Sequence, residues 1–220
     1  MSQTNEPVDT WEMVVVHRAF RREFGLAPKL VRRVADGDRE RAGVVADYLE
    51  FVGNGLHHHH TTEDELLWPL LLERVGELDS ELVHRMETQH ETVATLIEQA
   101  AELMPAWRAT AAASTGEELA VVYEKLSVAL NEHLTDEETE ILPLCSRYLT
   151  HAEWEAIGKR GQEGIPKGAK AFVSLGGLLA DATPQERTRF LAQLPLPARV
   201  MWRVAGKGIY RREVARIHGS

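Results

Sequence analysis

Two stretches of the chain place a histidine four residues before a glutamate, His59-x-x-x-Glu63 and His133-x-x-x-Glu137. On a helix of 3.6 residues per turn, positions four apart differ by about 40° around the axis, so both side chains can face one cation. The surrounding segments align without a gap at an offset of 74: histidine, Thr61 and Thr135, the two glutamates, a following acid, and Pro69 and Pro143 coincide. A second pair repeats at an offset of 73, Met13-x-x-x-His17 against Met86-x-x-x-His90. The separations from His17 to His59 and from His90 to His133 are 42 and 43 residues. Each half therefore reads as a helical hairpin, with one histidine on its first helix and a His-x-x-x-Glu motif on its second.

A single inward histidine, or one His–Glu pair at i, i+4, is ordinary core or surface chemistry. Here four histidines and two glutamates fall on apolar stripes at matching depths, and burying unpaired carboxylates would cost several kcal/mol. A shared cation removes that cost. Imidazole and carboxylate donors without thiolate suit iron or manganese, and carboxylates can bridge two ions inside a helical core. A structural zinc site would more usually include cysteine.

The elements that must position these residues are helical. The first helix is expected from Trp11 to Phe24 after Asp9 or Thr10, broken at Gly25 and Pro28 and followed by a short helix from Pro28 to Ala35. Asp38 can cap a second helix, along which Val45, Leu49, Val52, Leu56, His59, Glu63, Leu66 and Leu70 step alternately by four and three. Asp79 or Ser80 opens a third, with Leu82, Met86, His90, Val93, Ile97, Ala100 and Met104 inward. Ser114-Thr115-Gly116 reads as a loop before a fourth helix carrying Val122, Leu126, Ala129, His133 and Glu137. The pattern predicts an all-α protein: an up-and-down four-helix bundle over residues 9–150 and a helical extension over 151–220.

His17, His59-x-x-x-Glu63, His90 and His133-x-x-x-Glu137-Glu138 together resemble a hemerythrin-like, HHE cation-binding domain over roughly residues 10–150. The resemblance implies two non-haem irons, with manganese as the alternative, bridged by carboxylates. His17 and His59 would hold one ion, His90 and His133 the other, and Glu63 and an acid of the last motif would bridge. The internal repeat selects Glu137 as that acid, whereas the spacing of the family's oxygen carriers selects Glu138. The family's third helix commonly carries His-x-x-x-His, but Met86 stands at the first of those positions, so a fifth histidine is missing.

Among the remaining residues, Glu87 lies three before His90 and could replace that histidine, although a solvated face is the commoner fate of such a residue. His60, about 100° around the helix from His59 and four before Asp64, suits an outer or surface pair. His57, His58 and His84 default to the surface, Cys145 to the core, and Trp68 and Trp107 to packing.

The net charge of −9 hides an asymmetry: residues 166–220 hold ten Lys/Arg against three acids, leaving residues 1–165 at −16. An acidic body is a poor partner for nucleic acid. The extension's apolar residues Val200, Trp202, Val204, Ile209, Tyr210, Val214 and Ile217 interleave with cations, a pattern that suits docking on the acidic body or weak contact with a membrane surface. One cysteine, no signal-like N-terminus and no long apolar run predict a cytoplasmic protein without a transmembrane segment. The expected partner is a small diatomic or peroxide ligand, in a reactive di-iron protein or in an iron- or oxygen-responsive module acting through another protein.

Overall fold

The computed structural model describes residues 6–219, and the described residues form helices and turns with no strand. Four long helices make the body: α1 (Trp11–Arg32), α2 (Arg39–Thr62), α4 (Glu77–Thr110) and α5 (Ala113–Asp136). Around the body, α1 packs on α5 and α2, and α4 packs on α5 and α2. Short helices α3 (Trp68–Leu72) and α6 (Leu142–Tyr148) prolong α2 and α5 beyond two π-helical turns, Glu63–Leu67 and Glu137–Ile141.

The helix ends depart from the sequence expectation in instructive ways. α1 does not break at Gly25 or Pro28, which both lie inside it. Interior proline costs about 3 kcal/mol, yet Phe24, Ala27, Leu30 and Val31 on the same turns are fully buried, and that burial outweighs the lost hydrogen bond. α4 likewise runs through Pro105 and opens at Glu77, two residues before Asp79. The Ser114–Gly116 segment lies within α5, and the real connection is Ala111–Ala112, with Ala111 in the left-handed region at φ 50°. Asp38 caps α2 through the amide of Arg41, as its side chain suggested.

Two apolar clusters occupy the interior. One gathers Phe24, Leu49, Leu56, Val93, Leu119, Leu126 and Leu130; the other gathers Met13, Leu67, Trp68, Met86, Ile141 and Cys145. Along every long helix, the singled-out histidines and glutamates fall between the two. The Cys145 thiol is buried, which pushes its pKa well up and makes it a packing residue.

After Tyr148 the chain continues as α7 (His151–Glu163), α8 (Ala169–Ala180), α9 (Pro184–Gln193), α10 (Leu196–Met201), a π turn (Trp202–Gly206) and α11 (Lys207–His218). α7 starts from a full capping box of Thr150 and Glu153, so Gly158 and Gly161 sit inside a helix. α8 and α11 pack on the body along α1 and α2. Trp202 packs with Val15, Leu179 and Ala182, while Arg18, Arg22 and Arg41 of the body bond Glu186, Asp181 and the last carbonyls of α11. Gly206 is required for this contact, because a Cβ there would lie 2.5 Å from the Trp202 ring and 2.8 Å from that of Phe172. Among the described residues, no helix is long and apolar enough to cross a membrane.

Trp202 is thus the main apolar anchor of the extension. Trp202→Ala is expected to cost about 3 kcal/mol and to open residues 184–218 to limited proteolysis. Unchanged thermal unfolding and an unchanged cleavage pattern would contradict the docking described.

Candidate metal centre

His17, His90 and His133 reach the interior from α1, α4 and α5, and His59 and His60 from the end of α2. Glu63 and Glu137 each open one of the π turns. In those turns the Trp68 amide donates to the Glu63 carbonyl and the Leu142 amide to that of Glu137, five residues back. Pro69 and Pro143 follow at once. A proline cannot donate to the carbonyl four residues back and crowds it, and a widened turn just upstream relieves that conflict. The same local chemistry thus presents a glutamate inward in both halves.

The side chains gather into two adjoining sets. His17, His59, Glu63 and Glu137 form one; His60, Glu63, His90 and His133 form the other, and within each set the donor atoms lie within 4.8 Å of one another. Glu63 belongs to both, with Oε1 3.3 Å from His59 Nε2 and Oε2 3.5 Å from His90 Nε2. Glu137 Oε2 lies 3.3 Å from His17 Nε2 and 3.7 Å from His133 Nε2, so this carboxylate also spans the gap. Glu63 and Glu137 are essentially without solvent exposure.

Glu138 occupies a different place. It accepts from His17 Nδ1 at 3.0 Å and from Arg21 at 2.6 Å, at the rim of the cluster. Burial pushes its carboxyl up, but these bonds outweigh it and hold the group below its usual range. Asp64 plays the same part for His90, whose Nδ1 lies 2.7 Å from Asp64 Oδ1. His133 Nδ1 faces Gln89 Oε1 at 3.3 Å.

Several residues are displaced from their sequence reading. His60 is no surface residue: it is buried, and its ring stacks on that of His90 with centroids 3.9 Å apart. It supplies a fifth imidazole from α2 where Met86 of α4 supplies none. Its repeat-related position is the fully buried Leu134, a sequence signal that this register faces inward. Glu87 is half-exposed and paired with His84, away from the cluster. His58 is half-buried against α7, its Nε2 2.8 Å from the Arg160 carbonyl. Trp68, beyond packing, donates its indole N–H to Asp64 at 2.9 Å.

The chemistry of the donor set fits a cation. Buried polar atoms are normally hydrogen-bonded, yet His17 Nε2, His59 Nε2, His60 Nε2 and all four oxygens of Glu63 and Glu137 have no hydrogen-bond partner. His90 Nε2 and His133 Nε2 face each other at 3.2 Å. Where both rings donate through Nδ1, two lone pairs meet there with no proton between them, and a Lewis acid resolves the conflict.

A buried array of imidazoles and carboxylates among long helices defines the chain as a helical cation-binding protein. Residues 8–145 match the Hemerythrin HHE cation binding domain, and the chain belongs to that family. No curated protein and no solved structure matches it.

Without a cation, burial sets the protonation. Desolvation raises the Glu63 carboxyl well above its ordinary range, with Glu137 adding to the shift, and it raises that of Glu137 too. Desolvation and neighbouring imidazoles lower His59 and His60, and take His133 down to about 2. The raised carboxyls contribute stability at low pH that is lost as pH rises through their folded pKa; the lowered histidines contribute stability above about pH 6.5 that is lost on acidification. A bound cation compensates the negative charge of the two carboxylates and must displace their protons. Loading should therefore release protons, and the gain in melting temperature should be larger at pH 8 than at pH 5.5. A gain independent of pH would contradict this account.

Proposed function

We propose that this chain is a non-haem di-iron protein that binds or reacts with a small ligand such as peroxide, nitric oxide or oxygen. Residues 9–150 would form its up-and-down four-helix bundle and residues 151–220 a packed helical extension. The observation that carries the reading is the set of buried His17, His59 and His60 nitrogens and Glu63 and Glu137 oxygens without partners, gathered with His90 and His133 at two adjoining positions. His17 and His59 would hold one iron, His90 and His133 the other with His60 beside them, and Glu63 and Glu137 would bridge. Manganese fits the same donors.

When bound, a metal pair supplies a Lewis-acidic, redox-active centre. The protein's part is to hold and orient the donors, exclude water and manage protons. Apolar clusters on either side keep bulk water out. Glu138, Asp64 and Gln89 orient three imidazoles from behind. The position near His17 and His59 has one imidazole fewer than its neighbour, which favours it as the place where an exogenous ligand finds room. That room supports peroxide or nitric oxide chemistry over oxygen transport.

A second reading, an iron- or oxygen-responsive module that signals through a partner, is favoured by one contact. His58, beside the two histidines of α2, abuts α7 so closely that a Cβ on Gly164 would lie 2.1 Å from its ring. A change in how α2 presents His59 and His60 would reach the extension there.

Anaerobic reconstitution is expected to give about two irons per chain, as in carboxylate-bridged bundles. Zero iron, or full retention in a His59→Ala, His133→Ala double variant, would overturn the reading. Glu63→Ala should lose more metal than either single histidine variant, because Glu63 belongs to both sets. The iron form should consume peroxide faster than the metal-free protein or free iron, and stable reversible oxygenation would restore the carrier reading.

A further inference from the structure

Two adjacent acids in each repeat divide in the same way. Glu63 and Glu137 point inward, whereas the acids that follow them, Asp64 and Glu138, sit at the rim with side chains 48% and 22% exposed. Each rim acid reaches across to the histidine of another helix: Asp64 to His90 of α4 at 2.7 Å, Glu138 to His17 of α1 at 3.0 Å. His17 and His90 are themselves the repeat-related pair. A carboxylate accepts, so each bond places the ring proton on Nδ1 and leaves the Nε2 lone pair facing the interior. It also makes the imidazole a stronger donor to a cation.

The second partners of the two acids differ. Glu138 is paired with the Arg21 guanidinium at 2.6 Å, while Asp64 accepts from the neutral Trp68 N–H at 2.9 Å. Arg21 lies four residues after His17; four residues after His90 the chain has Ala94, which is exposed. Position 142, the counterpart of Trp68, is leucine. Glu138 therefore divides its charge between Arg21 and His17, and Asp64 faces no such cation.

Resting on the two-cation reading above, we propose that Asp64 and Glu138 are repeat-related positioning residues, and that Arg21, by neutralising Glu138 alone, makes the cation position that His17 faces through Nε2 the weaker of the two. The extra imidazole of His60 acts in the same direction, so substitutions rather than the native inequality isolate the rim acids.

The test is an anaerobic titration of the metal-free full chain with cobalt(II), read by visible d–d absorption and by calorimetry as two stepwise Kd values. Asp64→Asn is expected to raise the tighter Kd, and Glu138→Gln the weaker one, by about 10-fold or more. Asp64→Glu and Glu138→Asp, which keep the carboxylate, should recover most of the loss and the native absorption spectrum. Arg21→Ala should lower the weaker Kd. Ala94→Arg, at an exposed position that tolerates a long side chain, should raise the tighter Kd when Asp64 is present and leave it unchanged in an Asp64→Asn background.

Two cations bound with native Kd values in both Asp64→Asn and Glu138→Gln would overturn the proposal, as would Arg21→Ala raising the weaker Kd. Should either amide variant fail to fold by circular dichroism, the opposite signs expected of Arg21→Ala and Ala94→Arg still decide it. A native chain that binds fewer than two cobalt ions would instead overturn the two-cation reading itself.

Discussion

Everything in this molecule is arranged around the cost of removing two carboxylates from water. Glu63 and Glu137 are fully enclosed, and among the described residues no hydrogen-bond donor meets any of their oxygens. An isolated buried carboxylate would take up a proton or draw in a cation, since leaving it charged and unpaired costs many kcal/mol. The surrounding histidines cannot supply the missing charge, because the same burial holds His59, His60 and His133 neutral. Only a cation satisfies both donor types together. The polar layer is flanked by two apolar clusters that stabilise the helices without contributing a partner to Glu63 or Glu137, so the site is a gap in the core that protein atoms leave chemically incomplete.

The two halves solve this problem with the same local device and then diverge. In each, a proline forces a widened turn whose first residue is the inward glutamate, and the next residue is an acid that braces a histidine on a neighbouring helix. Pseudosymmetry makes the two positions alike in backbone and in inner carboxylate. It breaks at His60 against Leu134, at Arg21 against Ala94 and at Trp68 against Leu142. These three differences add one imidazole to one position, neutralise the rim acid of the other, and place an indole donor on one side only. A duplicated scaffold thereby carries two unequal donor sets.

The extension is bound to the body by apolar anchors and by arginine contacts of the kind that are worth little when exposed. Pairs such as Arg189 with Asp9 are half-exposed and contribute on the order of 0 to 1 kcal/mol. Trp202, seated among Val15, Leu179 and Ala182, carries more of the stability. The outer face of α10 and the following turn remains apolar and basic, with Leu196, Val200, Met201 and Val204 exposed beside Arg203. Close packing of His58 against the end of α7 ties this extension to the turn of α2 that presents two of the histidines.

The amino-acid pattern alone determined the helical class, the four long elements, the internal repeat and the inward direction of His17, His59, Glu63, His90 and His133, because periodicity reports which side of a helix meets the core. It could not place the ends of α1 and α4. Gly25 and Pro28 read as breaks from local propensity, and only the burial of neighbouring side chains decides that the helix continues through them. The π turns depend on how the helix responds to Pro69 and Pro143 when both flanks are held by packing, which is a tertiary condition. The choice between Glu137 and Glu138 also needed the fold: adjacent residues differ by about 100° around a helix, and Glu137 lies buried against His17 Nε2 and His133 Nε2, whereas Glu138 sits at the rim against His17 Nδ1 and Arg21. His60 is the sharpest case. A histidine beside a seam residue is ambiguous along one helix, and the tertiary structure makes it part of the centre by burying its ring in a stack on that of His90.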